Sequence, residues 1–470
     1  MRDGELPRSF GAGTLTLVGI GTVIGAGIFV ITGQAAAHYA GPAITLSFVI
    51  AGIVCVFCAL CYAEMGAMAP LAGSAYAYTR EAFGPKAGWM VGWALVAEYL
   101  FALSAVAIGW SAYMQGVVGD FGIHLPAAWA VSPLAMQGQS LKPTGAMLNL
   151  PAVAIVFVAT LSHLIGLKES SRFTVATVII KLSAVLLFIV FGLTRIEPAN
   201  WTPFLPPAIT HPDHTTSFGV PGMLQAAGLV FFAYLGFDAL GTAGQETHNP
   251  QRSLPIAILA TLGVSTVLYI AVALVMTGLA NYRLLGGDAP ITAAIAAGGP
   301  SLGWLKSYVG VAVSIGLWAG LWSAIYAISR LFFSFARDGF LPAGLGALSG
   351  KAMVPQNAIL LSGSLGMLVA GFLPIQLLGE LISTGTLLAF AFVCAAVIRL
   401  RISQPDRPRP FRTPVWPLTA GLGIAACLFL LSAMGWFALG RILVWQAVGA
   451  VILLASGLMA SKPASPPSPR

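Results

Sequence analysis

The sequence predicts an all-α integral membrane protein with twelve transmembrane helices. Of its 470 residues, 58% are hydrophobic and 8% are charged, whereas soluble domains carry about 25% charged residues. Apolar runs of about 20 residues, the length that crosses a bilayer, also recur along nearly the whole chain. The predicted spans are 14–36, 43–66, 87–118, 150–167, 172–194, 222–244, 254–279, 304–335, 356–373, 377–400, 415–437 and 441–460.

The positive charges predict a multi-pass protein of the inner (plasma) membrane with both termini in the cytoplasm. The first apolar run is too long for a cleavable signal peptide and lacks a small-residue cleavage site. With the amino terminus inside, seventeen of the 23 lysines and arginines lie on inside segments, five lie outside, and Lys181 lies within a helix. This asymmetry agrees with the positive-inside rule. Because the basic residues are dispersed over short loops, nucleic acid is not an expected partner.

The loops are too short to form a separate soluble domain. We therefore expect residues 1–460 to form a single transporter domain in the lipid bilayer. The proline-rich tail, residues 461–470, has the composition of a disordered segment.

Two predicted helices carry glycine at their centres. The first reads GIGTVIGAGIFVITG over residues 19–33, with five glycines in fifteen positions, although each glycine in a helix interior costs about 1 kcal/mol relative to alanine. The sixth reads GLVFFAYLGFDALGTAG, with Gly236 near its middle. Two interrupted helices at corresponding positions, five helices apart, indicate an inverted-repeat transporter. The repeats are residues 14–194 and 222–400, with two appended helices in 415–460.

Broken helices expose backbone groups that suit one class of substrate. Unwinding around Gly25–Gly27 frees N–H groups at the positive end of a half-helix, where a carboxylate binds well. Unwinding around Phe232–Gly236 frees carbonyls that accept hydrogen bonds from an ammonium group. Together they fit the zwitterionic backbone of an α-amino acid. The alternative is that these glycines only allow helices to pack closely.

Lys181 is an ionisable residue that lies deep in a predicted span. It follows Arg172 by nine residues, which places it roughly 13–14 Å into the bilayer. A lysine at that depth costs on the order of 3 kcal/mol. If it gains and loses a proton, it can couple proton movement to a conformational change: when protonated, it would donate to the freed carbonyls of the first helix. The alternative is a lysine that is permanently paired within the bundle.

Glu98 lies deep in the third predicted span, and Ala102, one turn further on, shares its helix face. Two interpretations of Glu98 stay open. It either faces the cavity and attracts a cationic substrate side chain, or it forms a hydrogen bond with a neighbouring helix. Asp238, after the break in the sixth span, is expected to cap the half-helix that follows; contact with the substrate is the alternative.

Five sequence motifs resemble those of the amino acid–polyamine–organocation superfamily, and within it the bacterial cationic amino acid transporter branch. The resemblance covers residues 10–460. The motifs are IGTVIGAGIFVITG at 20–33, CYAEMGAMAPLAGSAYAYTREAFG at 61–84, FFAYLGFDAL at 231–240, ETHNPQRSLPIAI at 246–258 and ARDGFLP at 336–342.

This resemblance implies the five-plus-five inverted-repeat fold of the leucine transporter, with helices 1 and 6 broken and alternating access. It implies that Lys181 occupies the position of a lysine found in related proton-coupled members, and that Phe232 gates the substrate. The residues implied to hold the substrate are Ile24, Gly25, Ala26, Gly27, Phe232, Ala233 and Leu235.

The predicted function is import of L-amino acids, cationic or small and neutral, by proton symport. An amino acid exchanger or a uniporter is the alternative. An enzyme is not expected, because the chain lacks H-E-x-x-H and its histidines are dispersed. A channel is disfavoured because the spans carry isolated charges instead of charged rings. No cofactor and no metal site are predicted.

Overall fold

The protein is a bundle of apolar helices. The structure, a computed structural model, describes residues 11–68, 74–167, 171–211, 215–238, 240, 247, 249–349 and 353–459. In this part of the chain, eight helices are long and apolar enough to cross a membrane, and four shorter apolar helices accompany them. The helix count of twelve and the repeat relation stay predictions, and the tail 461–470 lies outside the described residues.

The described residues form sixteen α-helices, α1 to α16 in chain order, with these bounds: Ala12–Val23, Thr32–Ala35, Ile44–Met68, Ser74–Phe83, Pro85–Gly119, Ala127–Ala130, Leu150–Leu164, Ser171–Leu193, Gly219–Val230, Pro250–Leu279, Pro290–Ala297, Gly303–Arg337, Gln356–Phe372, Ile375–Ser403, Trp416–Ala433 and Trp436–Met459. Short antiparallel hairpins lie in loops of the described chain. They pair β1, Leu134–Gln137, with β2, Ser140–Pro143, and β3, Ile209–Thr210, with β4, Thr216–Ser217.

The first predicted span is not one continuous α-helix. Helix α1 ends at Val23, and the chain resumes as a π-helical turn, Gly27–Ile31, followed by α2 and a second π-helical turn, Ala36–Ala40. At Gly41 the backbone adopts φ +59° and the chain turns into α3. We call the segment from Gly27 to Ala40 the outer half-helix. Helical turns with one extra residue are rare and occur frequently at functional sites.

Helix α5 is the central element, because nearly all of its apolar stretch is buried inside the protein. It packs along α12 and α14, while α10 packs against α1 and α3. The appended helix α16 is fastened to α5 by reciprocal hydrogen bonds: Trp93 Nε1 donates to Trp445 O and Trp445 Nε1 donates to Trp93 O, each at 2.8 Å. These bonds satisfy both indole N–H groups away from water.

A buried group of ion pairs lies at the end of the bundle that is predicted to face the cytoplasm. Glu64 of α3 accepts hydrogen bonds from Arg401 Nε at 2.7 Å and Nη2 at 2.8 Å. The backbone N–H of Thr413 donates to the same carboxylate at 2.8 Å, and Arg409 Nε lies 3.4 Å from it. Full pairing of this kind allows a charge to stay inside a protein.

Three of the described helices lie in segments that hydropathy assigns to loops. Helix α4 precedes α5, α6 lies between α5 and α7, and α11 lies between α10 and α12. A hydropathy window detects long apolar runs, so helices of four to ten residues escape it.

Candidate functional site

The first helix breaks at Ile24–Gly25. The N–H of Ile24 still donates to Ile20 O at 2.9 Å, but its ψ of 100° turns the chain out of the helix. Gly25 is half-buried, and a Cβ placed on it would meet no heavy atom within 4 Å. The break therefore lies beside free space.

The sixth predicted span also breaks. Helix α9 passes into a 3-10 turn, Phe231–Tyr234, and Leu235 leaves the helical region with ψ 138°. Gly236 has φ +115°, a conformation that is costly for any other residue. The N–H of Gly236 donates to Asp238 Oδ1 at 3.2 Å, so this side chain satisfies a backbone group at the break.

Lys181 of α8 forms hydrogen bonds with the backbone at the break in the first helix. Its Nζ donates to Gly21 O at 2.6 Å and to Ile24 O at 3.1 Å, and the side chain is 5% exposed. The alkyl stem lies against Gly316 of α12, where a Cβ would collide with it. These bonds join Lys181 to carbonyls of the first helix, and its role in proton coupling stays a prediction.

Tyr269 of α10 joins the two breaks. Its hydroxyl lies 2.8 Å from Val23 O and 2.8 Å from Ala233 O. The hydroxyl has one proton to donate, so it serves one of these carbonyls at a time. Sequence reasoning missed Tyr269, because a tyrosine in an apolar helix does not differ in pattern from a packing residue.

The two broken helices also touch directly. A Cβ on Gly27 would collide with Cα of Ala233. The absence of a side chain at Gly27 therefore lets the outer half-helix approach the sixth span at its break. Ile24, Ala26, Phe232 and Ala233 are all buried here, and Leu235 is half-buried.

Glu98 of α5 is buried against α14. It has no exposed surface, and Thr386 Oγ1 of α14 donates to its Oε2 at 2.8 Å. Among the described residues, its Oε1 has no hydrogen-bond partner. The structure thus shows the hydrogen bond to a neighbouring helix. Ala102 is buried one turn further along α5.

The comparison with known proteins identifies the chain's relatives. A family model described as "Amino acid permease" matches residues 10–458. The chain belongs to this family. The permease is 39% identical over 449 residues to the branched-chain amino acid permease BcaP of Bacillus subtilis, covering 95% of this chain and 92% of the relative. It is 38% identical to the methylthioribose transporter of the same organism, over 95% of this chain and 93% of the relative.

A more distant relative carries a different substrate name. The vacuolar cationic amino acid transporter 4 of Arabidopsis thaliana is 33% identical over 86% of the permease and 64% of its own length. These relatives are transporters and not enzymes. Together with the apolar helices, they identify the permease as an amino acid transport protein embedded in a membrane.

We expect Tyr269→Phe to destabilise this permease by about 1–3 kcal/mol, because it leaves buried carbonyls at the breaks without their donor. The measurement is thermal unfolding in detergent. Tyr234→Phe is the matched control: its hydroxyl donates to Phe48 O at 2.8 Å, an acceptor within the unbroken helix α3, where the backbone supplies a second donor. Equal stability loss in the two variants would contradict the role of Tyr269 at the breaks.

Proposed function

We propose that the protein imports L-amino acids by proton symport through alternating access. The observation that carries this proposal is the bond from Lys181 Nζ to Gly21 O and Ile24 O. It joins an ionisable group within a membrane helix to the broken backbone beside the free space at Gly25. A change in the charge of Lys181 therefore acts directly on the conformation of that break.

The fold that we propose is the five-plus-five inverted repeat of twelve spans, in the plasma membrane with both termini in the cytoplasm. Its support is the pair of breaks, at Ile24–Gly25 and at Leu235–Gly236, each in the helix that begins a predicted repeat. Each break leaves a backbone carbonyl within reach of the same side chain, Tyr269. This matches the expectation that irregular backbone at membrane depth lines a functional cavity.

In this proposal the substrate backbone binds between the breaks. Its carboxylate accepts from the N–H groups that begin the outer half-helix, where the helix dipole favours negative charge. Its ammonium group donates to carbonyls of the sixth span near Phe232 and Ala233. Gly25 borders the free space, so the substrate can approach the main chain there without meeting a side chain.

We further propose that the preferred substrates are neutral and apolar. Ile24, Ala26 and Phe232 are apolar and buried at the breaks. The carboxylate that could attract a cationic side chain, Glu98, already accepts from Thr386 and has no exposed surface. Leaving water for such surroundings favours an aliphatic side chain and disfavours a charged one. The similarity to the branched-chain amino acid permease BcaP supports the same preference.

Proton coupling follows from the two states of Lys181. The ammonium form donates charge-assisted hydrogen bonds, which are roughly twice as strong as neutral ones. It therefore holds α1 at the break. Loss of the proton weakens both bonds, so that α1 and the outer half-helix can move relative to α8. Binding and release of a proton on opposite sides of the membrane would then accompany each transport cycle.

The experiment is uptake of labelled L-leucine into sodium-free proteoliposomes, with and without an imposed inward proton gradient. We expect leucine to accumulate above equilibrium only when the gradient is present. Unlabelled L-valine should compete strongly and L-arginine weakly. Equilibration without accumulation would contradict symport and favour a uniporter. Uptake that requires amino acid inside the vesicles would favour an exchanger.

Methylthioribose is a second candidate substrate, because the transporter of that compound is nearly as similar to this chain as BcaP is. The same vesicles test it. Gradient-driven uptake of labelled methylthioribose that leucine fails to inhibit would overturn the amino acid proposal. Leucine uptake that valine inhibits and methylthioribose does not would support the amino acid proposal.

A further inference from the structure

A chain of side-chain amides and one carboxylate connects the outer half-helix to its surroundings. Gln34 of α2 is 1% exposed. Its Nε2 donates to Asp288 Oδ1 at 3.2 Å, while its Oε1 accepts from Gln376 Nε2 at 2.9 Å. Asp288 lies just before α11, and Gln376 lies in the first turn of α14. Three separate elements therefore meet through the amide of Gln34.

The segment around Asp288 rests directly on the outer half-helix. A Cβ on Gly33 would collide with the ring of Pro290. The backbone at Gly286 lies beside His38, because a Cβ there would be 3.1 Å from His38 Nε2. Any movement that separates α11 from the outer half-helix must therefore break the bond between Gln34 and Asp288.

We propose that Asp288 is a second proton-binding site, distinct from Lys181, whose protonation favours closure of the segment 286–297 over the outer half-helix. This goes beyond the proposed function, since it assigns a proton site to a residue that lies outside the predicted spans. The proposal rests on the proposed membrane orientation only in one respect, which is that the segment 286–297 then closes on the outer side.

The electrostatics of Asp288 support this role. Asp288 is half-buried. Desolvation of its carboxylate by the surrounding protein raises the pKa to about 6, although the hydrogen bond from Gln34 acts in the opposite direction. That hydrogen bond comes from an uncharged amide, which provides less compensation for a partly buried charge than a cation does.

The ionisable groups on the surrounding elements are engaged in other contacts. His38 lies beside Gly286 on the outer half-helix. Arg283 lies over the ring of Tyr282, 5.7 Å from its centroid. Glu380 of α14 pairs with Arg441 of α16 and accepts from Tyr39.

The direction of the pH effect follows from linkage. In the closed arrangement the pKa of Asp288 is about 6. An exposed aspartate in an opened arrangement would have a pKa of about 3.9. The closed arrangement then binds more protons between these values, so closure gains stability as the pH falls. These two values give about a tenfold rise in the ratio of closed to open protein from pH 7 to pH 5.

The test measures access to the site and needs no transport. A reporter cysteine replaces Ala102, and a membrane-impermeant thiol reagent is applied to right-side-out membrane vesicles between pH 5 and pH 7. The five native cysteines are buried, so they contribute little background. Each rate is divided by the rate of the Asp288→Asn variant with the same reporter, which removes the intrinsic pH dependence of the thiol.

We expect this ratio to rise about tenfold from pH 5 to pH 7, because asparagine mimics the protonated carboxyl at every pH. The labelling rate of Asp288→Glu, divided by that of Asp288→Asn, should show the same rise with pH. Asp120→Asn is the matched control, since Asp120 is a carboxylate outside the spans that pairs with Lys306 at 2.6 Å; its rates should follow those of the unsubstituted protein.

A ratio that stays flat between pH 5 and pH 7 would overturn the proposal, as would a reporter that never reacts from this side. Failure of symport is a separate result. If leucine uptake ignores the proton gradient while the labelling ratio still rises, Asp288 keeps its assigned role and only the coupling mechanism falls.

Discussion

Lys181→Met is expected to reduce proton-driven leucine accumulation to the level of empty vesicles. Methionine keeps much of the length and apolar volume of the side chain but cannot carry a charge. It also leaves Gly21 O and Ile24 O without the donor that they have in the structure, at a cost of about 1–3 kcal/mol for each unsatisfied carbonyl. The measurement is the initial rate of leucine uptake with an inward proton gradient, at matched amounts of folded protein.

Two further variants separate charge from position. Lys306→Met removes an amine that is partly exposed and pairs with Asp120, so uptake should stay close to normal. Gly316→Ala keeps the charge of Lys181 but places a methyl group in the space of its alkyl stem; it should weaken coupling through displacement of the amine. Full proton-driven uptake by Lys181→Met would eliminate the coupling role.

Gly27→Val should destabilise the folded protein, whereas Gly25→Ala, two positions away, should leave its stability unchanged. A Cβ at Gly27 collides with the backbone of Ala233, which cannot rotate away as a side chain can. We expect loss of at least about 1–3 kcal/mol of stability, the usual range for overpacking, with a strong reduction in folded protein. A Cβ at Gly25 meets nothing within 4 Å, so Gly25→Ala should fold normally.

The second part of this prediction concerns substrate. Because the space beside Gly25 is where we place the substrate backbone, a methyl group there should weaken leucine binding while stability without ligand stays unchanged. The measurement is thermal unfolding with increasing leucine, since a ligand that binds the folded state raises the melting temperature according to its affinity. A normal leucine-induced shift in Gly25→Ala, or a stable Gly27→Val protein, would contradict the assignment.

The breaks themselves were accessible from the sequence. Glycines at the centre of apolar spans have a cost that close backbone approach or a cavity offsets, and the structure breaks the first helix at Ile24–Gly25. The sequence did not separate the two uses of glycine. Gly27 contacts another helix and Gly25 borders free space, a distinction that depends on packing between segments more than 200 residues apart.

The partners of the freed carbonyls were only partly accessible. The depth of Lys181 pointed to the first helix, because a buried amine needs acceptors. Tyr269 gave no such signal, and neither did the amide chain from Gln376 to Asp288. Glutamine and aspartate near the ends of spans are ordinary features of a membrane protein, and their meeting depends on how the loop before α11 folds back.

The outer half-helix has a further property that follows from its two π-helical turns, Gly27–Ile31 and Ala36–Ala40. Each turn holds one residue more than α-helical pairing would place there. Conversion of one turn to α-helical pairing shifts the segment beyond it by one residue, about 1.5 Å along the axis with a rotation of about 100°. The outer half-helix can thus perform a screw motion, which would carry Gln34 away from Asp288 while the helix stays hydrogen-bonded throughout.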